Sequence, residues 1–157
     1  MTDTITRIMK TIEGCTDAKK LRQIAINARE KRELAVARAA DLRMYAILPS
    51  DAQGTLEYDI WQSIHALEGT LTNERGKNTR LARTRQKIKN VGEHATVRDL
   101  VLSSKRSEGF SMLIDRDMAA LTFEHVALQH PDRFDSNVLD AASARLQLAG
   151  IEIRGCC

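Results

Sequence analysis

A cluster of basic residues near the middle of the chain has the composition of a phosphate-binding surface. The segment from Arg75 to Asn90 contains seven lysines and arginines and no acidic residue. Because the chain has 24 basic and 21 acidic residues in all, this segment carries a formal charge of +7 while the remaining residues together carry −4. Positive charge concentrated on a mildly acidic body is typical of a protein that binds a polyanion, most often nucleic acid.

We predict that a basic helix over residues 78–90 presents these charges. Gly76 is placed to end the preceding helix, and Asn78 or Thr79 can cap the next one, which gives the order of elements of a helix-turn-helix. Arginine binds phosphate oxygens and the N7 and O6 edge of guanine, so we expect this helix to lie on a DNA duplex, with most contacts to phosphate. The predicted nucleic-acid-binding residues are Arg75, Lys77, Arg80, Arg83, Thr84, Arg85, Lys87, Lys89, Lys105 and Arg106.

The same charges have a second interpretation. Charged runs are often solvated helix faces, and these side chains could pair with carboxylates of the acidic remainder. The alternative function is therefore a non-enzymatic adaptor or assembly subunit that holds another protein without contacting nucleic acid. No aromatic residue lies between the arginines, which argues against a stacking platform for single strands. A homodimer is expected if the DNA target is a two-fold site.

Two groups of acidic and histidine residues could carry catalysis. Glu57, Trp61, His65 and Glu68 share one face of a predicted helix, because positions three and four apart are neighbours. A histidine between carboxylates can transfer protons or bind a metal. In the second group, paired acids could hold Mg²⁺ for phosphodiester cleavage. That group consists of Asp115, Asp117, Glu124, His125, His130 and Asp132.

Neither group has the spacing of a specific catalytic motif. Asp115 and Asp117 flank an arginine, as in an exposed turn, and the face around His65 is equally typical of a polar seam in which Trp61 packs on the next helix. The chain has no glycine-rich nucleotide loop and no nucleophile signature. We therefore predict no catalytic residue, metal or cofactor, with a nuclease as the alternative.

The elements that would position these residues are predicted to be helices. Aromatic residues make up 4 % of the 157 residues, proline occurs twice, and apolar residues recur at helical spacing. A hydrophobic content of 43 % is enough for one domain with an ordinary core. The predicted fold class is all-α, a compact multi-helix domain over residues 1–157 with an N-terminal αα-hairpin and a C-terminal cluster of short helices.

Two lobes are predicted within this domain. In the first, residues 1–49, Thr16 is expected to cap the first helix of the hairpin and Pro49 to end the second. The inward stripe of that second helix is predicted at Ala35, Ala39, Leu42, Tyr45 and Ala46. One continuous helix over residues 17–48 is the alternative to a hairpin. The second lobe, residues 55–157, follows a linker and begins with a helix whose stripe is Leu56, Ile60, Ile64, Leu67 and Leu71.

The location of the protein is predicted from what the chain lacks. No run approaches the roughly 20 apolar residues that span a membrane, and the first residues do not have the pattern of a secretory signal. We therefore expect a cytoplasmic protein without a membrane partner. Cys15, Cys156 and Cys157 lack metal-ligand spacing, and the last two are expected to lie in a frayed, reduced tail.

Overall fold

Helices supply all the regular structure of residues 2–152, the part of the chain that the computed structural model describes. This part contains eight α-helices, two 3₁₀ turns and no strand, which confirms the all-α fold class. Within this part of the chain, every helix is too short or too polar to span a lipid bilayer. The chain divides between Ser50 and Asp51 into two units. Cys156 and Cys157 lie outside the described residues.

The first unit contains α1 (Thr2–Gly14), α2 (Ala18–Glu30) and α3 (Leu34–Ile47). Helices α2 and α3 form the predicted hairpin, and the turn between them rules out the single continuous helix. Asp17 caps α2 in place of Thr16, since its carboxylate accepts a hydrogen bond from the backbone N–H of Lys19 at 3.0 Å. Arg29 and Asp41 join the two helices by an ion pair of 2.9 Å.

The buried face of α3 differs from the predicted stripe. Ala35 is exposed, while Ala39, Leu42 and Ala46 are only partly buried. The buried side chains of the helix are Val36, Ala37, Ala40, Met44 and Tyr45. Alanines lie all around this helix, so their spacing cannot locate the inner face, and packing against α2 selects the side that also carries the larger apolar groups.

The second unit contains the five helices α4 to α8. Their bounds are α4 (Leu56–Arg75), α5 (Ala82–Leu102), α6 (Glu108–Asp115), α7 (Phe123–Gln129) and α8 (Ser136–Leu148). The hydroxyl groups of Thr55, Ser107 and Thr122 cap α4, α6 and α7, each accepting a hydrogen bond from the backbone N–H three residues on. Two 3₁₀ turns, Ala119–Leu121 and Pro131–Arg133, precede α7 and α8. The predicted C-terminal cluster of short helices is therefore present.

Helix α4 supplies the central apolar stripe of this unit. The five predicted stripe residues, Leu56, Ile60, Ile64, Leu67 and Leu71, are all buried. Three of them share a core cluster with residues from α5, α7 and α8 and the turn before α8. The members of that cluster outside α4 are Ile88, Val97, Val101, Val126, Ala127, Phe134, Val138 and Ala142.

A break at Gly92 divides α5 into two segments, which we call α5a (residues 82–91) and α5b (residues 93–102). Gly92 has φ 87° and ψ 168°, a conformation open almost only to glycine. The sequence predicts an interruption here, followed by a new helix at Ala95 or Thr96. In the structure α5b instead resumes directly after the glycine.

Replacing Gly92 by alanine is expected to lower the free energy of unfolding by about 1 to 3 kcal/mol. A Cβ atom at this position meets nothing within 4 Å, so the cost arises from backbone conformation alone. Urea unfolding followed by circular dichroism measures the change. Gly14→Ala is the control, because Gly14 has equally open surroundings without the positive φ. If the two variants were equally stable, a side chain at position 92 would cause no backbone strain, and this prediction would be wrong.

Candidate nucleic-acid interface

The turn between α4 and α5 fixes where the basic helix begins. Gly76 adopts the left-handed conformation, φ 70°, and ends α4 at the predicted place. Within the turn, the backbone N–H of Thr79 donates to the hydroxyl group of Thr72 at 3.0 Å. The helix then starts at Ala82, a few residues later than the predicted start at 78 or 79.

Glu68 of α4 holds the first turn of α5a. Its Oε2 atom accepts hydrogen bonds from the backbone N–H of Leu81 at 2.9 Å and from Nε of Arg85 at 2.6 Å. Its Oε1 atom accepts a third hydrogen bond, from Nη2 of Arg85 at 2.7 Å. Glu68 therefore caps the helix and binds its arginine in a bidentate pair. Arg85, a predicted nucleic-acid contact, is thereby engaged within the protein.

The Glu68 carboxylate is charged although it is only 8 % exposed. Burial by itself raises the pKa of a carboxyl group. Here the hydrogen bonds from Arg85 and from the Leu81 backbone outweigh burial, so the pKa of Glu68 is lowered from its ordinary value. The pair is a structural clamp between α4 and α5a.

Trp61 packs under the same arginine. The guanidinium carbon of Arg85 lies 5.2 Å from the centre of the indole ring, within the range of a cation–π contact. The indole N–H donates to Glu93 at 3.4 Å. His65 lies beside the indole, and burial lowers the pKa of His65, which favours its neutral form at pH 7. The face predicted as a possible proton-transfer or metal site thus has the construction of a polar seam.

Lys87 is also paired. Its Nζ atom lies 3.0 Å from Oδ2 of Asp99, and Arg98 binds the other carboxylate oxygen of Asp99 at 3.1 Å. The hydrogen bonds from Lys87 and Arg98 lower the pKa of Asp99. The charge of Lys87 is therefore offset by this carboxylate.

Five basic side chains of the segment remain without a carboxylate partner among residues 2–152. All five are exposed, and two of them lie on α5a itself. We call this set the basic face: Arg75, Lys77, Arg80, Arg83 and Lys89. Thr84, a further predicted contact, is partly buried.

Three acidic residues around the segment are occupied by other partners. Glu74 forms an ion pair with Arg116, Glu93 accepts from the Trp61 indole, and Asp99 holds Lys87. Among the described residues, none of these three carboxylates is paired with a side chain of the basic face.

Lys105 and Arg106 lie in the turn after α5b, at the other end of α5 from the basic face. Both are exposed, and the guanidinium group of Arg106 lies 5.8 Å from the centre of the Phe110 ring. Their predicted role was to extend the cationic surface near Arg83. That role stays a prediction, and the basic face is defined only by residues between positions 75 and 89.

The acidic group of the C-terminal helices is dispersed. Asp115 ends α6, whereas Glu124 is buried in α7 with Oε1 3.6 Å from Arg145 and with no hydrogen bond to Oε2. Burial raises the pKa of Glu124, which Arg145 only partly offsets. Among residues 2–152, no three histidine, cysteine or acidic side chains are placed to hold a metal ion.

His125 and His130 both lie near α4, and His125 lines a small cleft there. Nε2 of His130 is 2.6 Å from a carboxylate oxygen of Asp59, and burial lowers the pKa of His125. Asp59 and His125 line the cleft, whose volume is about 160 Å³. That volume is below the roughly 300 Å³ of the smallest usual ligand pockets.

One side-chain pair on α5a could have been expected from the sequence. The amide of Gln86 donates from Nε2 to Oδ1 of Asn90 at 3.0 Å, on the exposed side of the helix. Their spacing of four residues is the signal that indicates such a pair.

Comparison with known proteins gives no relative from which a function could be carried over. No protein-family model matches the chain, and no characterised protein and no solved structure is significantly similar to it.

Proposed function

We propose that this protein binds double-stranded DNA through the basic face. The observation that carries the proposal is the exposure of five cationic side chains, within fifteen residues, that no carboxylate of the described chain neutralises. Positive charges gathered on one surface repel one another. Phosphate groups would remove this repulsion and release bound counterions.

A duplex fits the shape of this surface better than a single strand does. The segment contains no aromatic side chain on which an unpaired base could stack. An α-helix with its side chains is about 10 to 12 Å wide, close to the width of about 12 Å of the major groove of B-DNA. Helix α5a is therefore the element proposed to lie in or across that groove.

The Glu68–Arg85 pair attaches the highly charged helix α5a to α4. Arg85 faces inward to Glu68 and Trp61, while Arg83 and Lys89 face solvent. The inward arginine anchors the helix and the outward cations are left for a ligand. One basic segment thus supplies both the attachment and the proposed contact surface.

A salt titration of the full chain tests the proposal. Binding to a random duplex, a single strand and a structured RNA is measured by fluorescence anisotropy at several salt concentrations. Contact of five cations with phosphates predicts a slope of about −4 to −5 for log K against log salt with the duplex. The alternative, an adaptor that holds a protein through apolar surfaces, predicts no duplex binding. A flat slope, or tighter binding to the single strand or the RNA, would contradict the proposal.

A further inference from the structure

Helix α5a exposes most of its circumference. Within residues 82–91, Ile88 is the one side chain that is buried. The residues of α5b, by contrast, contribute Thr96, Val97 and Val101 to the interior. The break at Gly92 lets the two segments differ in this way. A helix with so little buried surface presents a whole side to a ligand.

The side that α5a presents has a defined chemical pattern. Ala82, Arg83, Gln86, Lys89 and Asn90 are all exposed, and their spacing places them along one strip. The strip contains no carboxylate. Arg83 and Lys89 lie toward its two ends. The carboxamide of Gln86 lies between them, and the carboxamide of Asn90 lies beside Lys89.

The carboxamide of Gln86 is paired with the carboxamide of Asn90. One N–H of its Nε2 atom donates to Oδ1 of Asn90 at 3.0 Å. The second N–H and the carbonyl oxygen of Gln86 can still point away from the helix. A side chain that is already oriented loses less conformational entropy when it binds.

Adenine has the matching edge in the major groove. Its N7 accepts a hydrogen bond and its N6 amino group donates one, and glutamine or asparagine can satisfy both at once. We infer that Gln86, oriented by Asn90, reads an adenine base while Arg83 and Lys89 bind phosphates on either side. This inference rests on the proposed function and adds sequence preference to it.

A second glutamine–asparagine pair provides the matched control. On α2, Nε2 of Gln23 donates to Oδ1 of Asn27 at 2.8 Å, also on an exposed surface. The hydrogen bond alone therefore does not indicate base reading. Gln86 differs from Gln23 because it lies between Arg83 and Lys89 on a strip that contains no carboxylate.

Selection from a random duplex pool, followed by binding measurements, tests this inference. The wild-type chain is expected to enrich sites that contain an adenine, and replacing that base by 7-deazaadenine should weaken binding about ten-fold. Gln86→Ala should weaken binding to the selected duplex about ten-fold and leave binding to a scrambled duplex unchanged. Asn90→Ala should lower the ratio of selected to scrambled affinity, whereas Gln23→Ala should alter neither affinity.

The outcomes separate this inference from the function on which it rests. Steep salt-dependent binding without any enriched sequence would overturn base reading and leave duplex binding standing. Equal losses on selected and scrambled duplexes in Gln86→Ala would also overturn it, because the contact would then be to the DNA backbone. Absence of duplex binding by the wild-type chain would overturn both.

Discussion

Simultaneous replacement of Arg80, Arg83 and Lys89 by alanine is expected to weaken duplex binding about 100-fold or more at 0.1 M salt. The same variant should lower the magnitude of the salt slope by about 2.7, since each phosphate contact contributes about 0.9. All three side chains are exposed and unpaired among the described residues, so the helical circular-dichroism signal should not change. Fluorescence anisotropy at several salt concentrations provides the measurement.

A charge-matched variant in the first unit is the control for this prediction. Lys19, Lys20 and Arg22 are exposed on α2, and replacing them by alanine changes the formal net charge from +3 to 0, as the first variant does. Binding that depended on overall charge would fall equally in both variants. Retained affinity in the triple variant of the basic face, or a larger loss in the control, would refute the proposed interface.

Arg83 and Arg85 are expected to respond in opposite ways to alanine substitution. Arg85→Ala should lower the free energy of unfolding by about 2 kcal/mol, because it leaves a mostly buried carboxylate without its bidentate partner. Arg83→Ala should change stability by less than about 0.5 kcal/mol, as is usual for exposed positions. For duplex binding we expect the opposite order, with the larger loss of affinity in Arg83→Ala. Urea unfolding and duplex titration of both variants measure the contrast.

A double-mutant cycle measures the coupling energy between the side chains of Glu68 and Arg85. Both single alanine variants and the double variant are unfolded in urea, and a coupling energy above about 1 kcal/mol is expected for a direct, partly buried pair. Unchanged stability in Arg85→Ala together with lost duplex binding would contradict the structural role and make Arg85 a DNA contact.

The stability that the Glu68 carboxylate contributes depends on pH. The pKa of Glu68 is lowered in the folded chain, so this carboxylate stabilises the fold above its ordinary pKa of 4.5. That contribution is lost as the pH falls through the lowered pKa. The stability difference between wild-type and Glu68→Gln proteins should therefore be largest near neutral pH and shrink in acid.

Several features of the fold could be predicted because they depend on local periodicity. The stripe from Leu56 to Leu71, the end of α4 at Gly76 and the interruption near Gly92 all follow from side-chain spacing and from the conformational freedom of glycine. The inner face of α3 could not be predicted in this way. Alanine fits either side of a helix, so the choice was made by packing against α2.

The sequence by itself determined that positive charge is concentrated between residues 75 and 90, since charge and helical spacing are properties of the chain. Which charges are available to a ligand was decided only by the tertiary structure. Arg85 meets Glu68, a residue 17 positions away, because α4 and α5a pack side by side. Arg83 lies two residues earlier in the sequence and points to solvent, because successive helical positions are rotated by about 100°.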